Sequence, residues 1–123
     1  MAIVAIDPGI SGAVAFMFPE APERVASEDM PVADSDVDAV TLANRLGLVG
    51  PTLAIVERVS AMPKQGVSST FRFGRSFKTV IGVIGALNVP LIFVIPTKWK
   101  AHFRISADKE QARALALRLF PAC

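Results

Sequence analysis

The stretch Ile3–Phe16, IVAIDPGISGAVAF, consists of two apolar runs separated by one carboxylate and a glycine-bearing turn. Ala2–Ile6 and Ala13–Phe18 each have the length and composition of a strand, and Asp7-Pro8-Gly9 is a chain-reversing signal between them. A strand that ends on Asp7 must solvate, pair or metallate that charge, because a lone carboxylate in apolar surroundings is too costly to keep ionised. Strand ends beside glycine turns are also common sites for working side chains. Asp7 therefore sends the search along the chain for its partners.

A weaker strand signal near Arg24–Met30 follows, then a polar, acidic connection to Asp38. Asp36 or Asp38 can cap a helix reaching about Leu48, with Val40, Ala43, Leu46 and Gly47 at helical spacing, and Gly50-Pro51 stops it. Thr52–Val56 (TLAIV) reads as a buried strand that again ends on a carboxylate, Glu57. Beyond a loop at 58–66, Ser68 or Ser69 is the expected N-cap of a helix running to Leu87. Its interior glycines Gly74, Gly82 and Gly85 weaken an isolated helix, so close packing against another element is the expected compensation.

From Thr79 to Thr97 the chain has 19 residues without a charge, near the length that spans a bilayer. Asn88 and Pro90 interrupt it, and Pro90 lacks the amide proton a continuing helix needs. The reading is a helix end, a turn and a strand Leu91–Ile95, with no membrane span. Ser106 is the expected cap of a last helix whose apolar face is Ala112, Leu115, Ala116 and Leu119. Asp108 and Glu110 fall in its first turns, where negative charge suits the helix dipole.

Three strands, then helix, strand, helix, strand and helix make an α/β chain. A three-strand meander followed by strand–helix–strand units, which require parallel pairing, builds a mixed sheet with packed helices. The 123 residues fit a single domain. Hydrophobic residues make up 52% and charged residues 20%, which is globular and excludes a disordered chain. The single cysteine, Cys123, allows no internal disulfide and carries no assigned chemistry. Together with the absence of a basic leader before Asp7, it leads to the expectation of a cytoplasmic protein.

Charge is segregated. Residues 1–57 hold nine acids and two bases, net −7, whereas 58–123 hold eleven bases and two acids, net +9. A basic half suits an anionic partner, nucleic acid first, although a solvated basic surface gives the same count. If the strands ending on Asp7 and Glu57 are parallel neighbours, both carboxylates emerge at one sheet edge. Hard cations such as Mg²⁺ favour such oxygens, with phosphate and water completing the shell. Two other arrangements stay open: Asp7 accepting amide protons from residues 9–12, and Glu57 pairing with Arg58 or Lys64. His102, in the basic aromatic segment 99–103, is expected to be structural.

Four blocks resemble the RuvC-like Holliday-junction resolvases, particularly their phage-type members, which have an RNase H-like fold. They are IDPGISGA at 6–13, VERVSAMPKQGVSSTFRFGRSF at 56–77, VPLIFVIPTKWK at 89–100 and DKEQARALALRLFP at 108–121. The second block is the most specific. The resemblance implies a crossover junction endodeoxyribonuclease that acts on branched DNA as a homodimer with Mg²⁺, for which Mn²⁺ can substitute. It makes Asp7 and Glu57 the first two metal-binding carboxylates. It also places Lys100 and Lys109 near the cleavage site, and Lys64, Arg72, Arg75, Lys78 and Lys98 on the DNA. Phe71 and Phe73, interleaved with Arg72 and Arg75, either stack on an unpaired base or pack in the core, core packing being expected for at least one. The family carries further acidic ligands on a C-terminal helix that this sequence lacks, so the nuclease domain spanning 1–123 is expected to be C-terminally incomplete. Two rival readings are a non-cleaving module that binds structured DNA, and a nucleotide-binding protein of the actin and sugar-kinase kind. The latter needs a second lobe for which 123 residues leave no room.

Overall fold

The structure, a computed structural model, describes residues 1–58, 66–102, 111, 114 and 118, with the backbone alone at 97 and 99. Three short strands, β1 (Ile3–Asp7), β2 (Ala13–Met17) and β3 (Ala26–Asp29), form the expected antiparallel meander. β6 (Leu53–Glu57) pairs parallel with β1, and β7 (Leu91–Val94) pairs parallel with β6. The sheet order is β3-β2-β1-β6-β7, with β1 at the centre.

Alternation along each strand gives the sheet two unlike faces. Val4 and Ile6, Val14 and Phe16, and Ala54 and Val56 are buried on one face, under α1 (Ala39–Val49) and α2 (Val67–Ala86). Leu42 and Leu46 of α1 and Val80, Val83 and Ile84 of α2 complete that core. The opposite phase puts Ala5, Asp7, Ala13, Ala15, Ile55 and Glu57 together on the other face.

Asp38 is the N-cap of α1: its Oδ1 accepts from the Thr41 amide at 3.1 Å and its Oδ2 from the Thr41 hydroxyl at 2.6 Å. Gly50 closes the helix in the left-handed region, at φ 65°, with its amide bonded to the Leu46 carbonyl. The buried face of α1 holds Leu46 and, in part, Ala43 as expected, but Gly47 is exposed, Val40 is 71% exposed and Leu42 takes its place one turn before Leu46. The two leucines at i, i+4 carry more apolar surface than Val40 and Ala43, and they set the rotation.

Three further expectations are corrected. The acidic connection before α1 contains a two-residue hairpin, β4 (Val32–Ala33) with β5 (Asp36–Val37), turned by Asp34 and Ser35 at φ 53° and 66°. Such a turn requires positive φ at both central residues, usually supplied by Asn-Gly, and Asp-Ser is a weak signal for it. The N-cap of α2 is Gly66, so Ser68 and Ser69 lie inside its first turn. Among the described residues Gly74, Gly82 and Gly85 are not packed closely, because a Cβ at any of them would meet none of these within 4 Å.

α2 ends at Ala86, Asn88 turns the chain at φ 57°, and β7 starts at Leu91, which bears out the interruption of the long uncharged stretch. No helix among the described residues is long and apolar enough to cross a membrane. A short helix, α3 (Pro96–His102), follows β7; it went unread because its only start signal is a proline at the first helical position. Of the last expected helix, Gln111, Ala114 and Arg118 are described and are helical. Its cap Ser106, its acids Asp108 and Glu110, and Cys123 lie outside the described residues, as does most of the loop after Arg58.

Candidate active site

β1 and β6 run parallel in register, with Ile6 opposite Val56. The next row therefore sets Asp7 beside Glu57 on the same face, with backbones one strand spacing apart, about 4.8 Å. Asp7 is in turn opposite Ala13, and Glu57 opposite Val94. The pair thus sits between small or apolar neighbours, at the edge where the parallel strands end. A hollow of about 570 Å³ is lined by these residues together with Ala5, Ala15 and Ile55, the alanines providing its depth.

The turn that follows β1 is held by the Gly12 amide on the Gly9 carbonyl at 2.9 Å. A Cβ on Gly12 would collide with the Asp7 carbonyl oxygen and lie 2.9 Å from that of Gly9, so only glycine lets the chain return this close to the carboxylate-bearing residue. Gly9 has no such constraint among the described residues, where its own Cβ would find only the Ser11 amide, at 3.9 Å.

Burial pushes the Glu57 carboxyl above its ordinary value near 4.5; the negative charge of Asp7 raises it further, and Lys100 pulls it down. Two acids facing each other over an apolar floor, with a lysine in their field, form a site that a cation would relieve. Neither the turn-amide pairing of Asp7 nor the Arg58 pairing of Glu57 is found, and Lys64, the other partner offered for Glu57, lies outside the described residues. Among the described residues the Asp7 side chain accepts no hydrogen bond from the turn, and Arg58 lies over the Phe93 ring at 5.2 Å instead of pairing with Glu57. The register also carries Asp29 into the same row, with Ala13 between it and Asp7. Two strand spacings, about 10 Å, separate Asp29 from Asp7, too far to share one ion directly. Groups of three or more His, Cys, Asp or Glu residues fit to hold a metal are absent among the described residues.

The basic and aromatic candidates divide into three sets. Lys100 belongs to the carboxylate site through its field on Glu57. Arg72, Lys78 and Lys98 are exposed, and Phe71, 67% exposed, lies under the Arg75 guanidinium at 5.6 Å. Arg75 also donates from Nε to Asp36 at 2.6 Å, so part of its charge is already matched. Phe73 is instead packed: it stacks on Phe77 with centroids 6.4 Å apart, and Phe77 meets Phe93 at 5.9 Å. One of the two phenylalanines is therefore packed among other rings, and the other is solvent-exposed beneath Arg75. Lys64 and Lys109 lie outside the described residues. His102 is exposed at the end of α3.

Sequence reading missed the serines that gather where the 8–12 turn meets α2. Ser11, Ser69 and Ser76 line one cavity there with Arg72 and Phe73. Ser69 was expected only as a helix cap, and nothing in the linear sequence links it and Ser76 to Ser11.

No protein-family model matches the sequence, and no curated protein does. Solved structures do match. Thermus thermophilus RuvC superposes with a TM-score of 0.72 at 15% identity, covering 98% of this chain and 81% of that one. The same protein in complex with a Holliday junction substrate gives 0.65 at 14% identity, over 82% of this chain and 68% of that one. The fowlpox virus Holliday junction resolvase gives 0.51 at 17% identity, over 97% and 73%. With the meander, the parallel β1-β6-β7 ladder and both helices on one face, the chain has the RNase H-like α/β fold of RuvC.

Proposed function

We propose that the chain is a metal-dependent, structure-selective DNA endonuclease that resolves four-way junctions by phosphodiester hydrolysis. The observation that carries this reading is the Asp7–Glu57 pair, aligned by parallel register at the strand ends, with the Glu57 carboxyl raised in proton affinity by burial and by the charge of Asp7. The donor set fits Mg²⁺, which is commonly held by one or two carboxylates with water and substrate phosphate as its other ligands. Mn²⁺ would serve as well. Bound there, such an ion would activate water and stabilise the leaving oxygen. The chain's own contribution is to fix the two carboxylates on adjacent strands, to surround them with alanine and isoleucine, and to hold Lys100 where it biases Glu57 toward its charged form.

Support for branched DNA as the substrate comes from RuvC, which shares the fold and was solved on a junction. The exposed Arg72, Lys78 and Lys98 would neutralise backbone phosphates, giving salt-sensitive affinity with little sequence information. Two sites cutting two strands imply a homodimer. The exposed glycine stripe of α2, unpacked among the described residues, leaves room for a second helix to approach. A cytoplasmic setting accords with the lone cysteine.

One observation favours a second reading, a module that binds structured DNA without cutting it: the described carboxylate cluster has two members and not three. Incubating a labelled four-way junction with the protein and Mg²⁺, beside an Asp7→Asn variant and a linear duplex, separates the readings. Paired nicks near the branch that vanish in the variant support the nuclease. Tight junction binding with no product in Mg²⁺ or Mn²⁺ supports the module, and equal binding to junction and duplex refutes both.

A further inference from the structure

On the α2 side of the 8–12 turn lies a cavity of about 260 Å³ lined by Gly9, Ile10, Ser11, Ser69, Arg72, Phe73 and Ser76. Every polar side chain in this lining can donate a hydrogen bond, one is a permanent cation, and none is an acid. Ser76 is 2% exposed, and its Oγ has no hydrogen-bond partner among the described residues. That vacancy is unusual, since a buried hydroxyl normally finds an acceptor. Three residues further along the same helix, the Thr79 hydroxyl bonds back to the Arg75 carbonyl at 2.9 Å, the usual resort of a helical hydroxyl. Ser76 does not use it.

Arg72, which is exposed, has no carboxylate partner among the described residues, in contrast to Arg75 with Asp36 and Arg45 with Glu28. It lines a second hollow as well, with Val67, Ser68, Phe71 and Arg75, so it stands between two concave surfaces at the start of α2. The first turn of that helix holds no acid, and its cap residue Gly66 brings no side-chain oxygen. The helix end is therefore left positive.

We propose that this cavity is a seat for a phosphate group, occupied by one backbone phosphodiester of the bound DNA and held by Arg72 with the hydroxyls of Ser76, Ser69 and Ser11. The inference rests on the junction-binding reading and adds to it a residue-level anchor separate from the carboxylates. Asp7 opens onto the sheet face opposite the two helices, whereas Gly9 and Ser11, on the same turn, line the cavity against α2. A strand lying across the turn would have one phosphate seated in the cavity and present a neighbouring one to Asp7 and Glu57. At about 30 Å³ per water molecule, the cavity holds a phosphate with several waters.

The test measures junction affinity against salt for the wild type, Arg72→Gln and Ser76→Ala, together with the melting temperature of each with and without inorganic phosphate. The seat predicts that Arg72→Gln weakens junction binding about 10-fold or more and lowers the salt slope by about 0.9. Ser76→Ala should weaken binding about 3- to 10-fold while leaving the melting temperature of the free protein unchanged or raised, because the lost hydroxyl had no partner to lose. Unchanged junction affinity in both variants overturns the seat while leaving the nuclease reading intact. If the wild type shows no preference for the junction, that reading fails and the phosphate arm decides: a rise in melting temperature abolished by Arg72→Gln supports the seat, and no rise overturns it.

Discussion

The two faces of the five-stranded sheet are made by the same strands and differ only in which alternate residues they show. One face carries Val4, Ile6, Val14, Phe16 and Val56 and is sealed by two helices. The other carries Ala5, Ala13, Ala15 and Ile55, and at its end the carboxylates Asp7 and Glu57. Large branched side chains interlock with the helices and stabilise the fold, whereas alanines leave a hollow in which a charge is partly stripped of water. The contrast teaches that stability and chemistry have been assigned to opposite sides of one backbone, and that a shift of one residue in register would exchange them.

Substitutions on the two faces should therefore have opposite consequences. Leu42→Ala empties a fully buried position on the sealed face and should cost about 2–5 kcal/mol in denaturant unfolding. Cleavage per folded molecule should be retained. Asp7→Asn on the open face should do the reverse: stability within about 0.5 kcal/mol, as expected for an exposed position, and cleavage down by at least about 100-fold, since even outer partners of a metal ligand cost 10–100-fold. If Asp7→Asn unfolds the chain, or Leu42→Ala abolishes cleavage by folded protein, the division between faces fails.

Gly12→Ala joins the two effects. Its new methyl group must displace the carbonyl of Asp7, so it should cost about 1–3 kcal/mol and also lower activity, measured as melting temperature and nicking rate on the same samples. The smallest expected effect is that of Glu57→Gln on the metal-free protein. A carboxyl whose folded value is raised binds its proton more tightly in the fold than in the unfolded chain. Stability from this group is thus lost as pH rises from about 4.5 through the raised value. The melting temperatures of wild type and variant should coincide in acid and separate above that range, with the variant higher; Mg²⁺ should restore the wild type alone.

Much of this was legible in the sequence because it is written locally. Apolar runs ending on Asp7 and Glu57, a capping Asp38 and a stopping Gly50 each act through their own backbone, so strand ends and α1 boundaries fell close to expectation. The meander and the parallel ladder followed from element order. What was missed depends on contacts between distant segments. The Asp34-Ser35 turn takes positive φ without the glycine that would announce it. Which side of α1 is buried was decided by fit against the sheet, against the reading that included Val40. The glycines of α2 suggested close packing that the described residues do not supply. The carboxylate pairing was anticipated only on the condition that β1 and β6 are neighbours, and the parallel register meets that condition. The cavity at Ser76 had no linear signature, because its lining comes from residues 9–11 and 69–76.

The most direct test of the account is a pH titration of the Glu57 side-chain carboxyl by carbon NMR, in the wild type, in Asp7→Asn, and with Mg²⁺ added. The account predicts a midpoint above the ordinary 4.5 in the free protein, a lower midpoint once the Asp7 charge is removed, and a lower one again when Mg²⁺ is present. A midpoint at the ordinary value that responds to neither change would contradict it, for then the two carboxylates do not share a site.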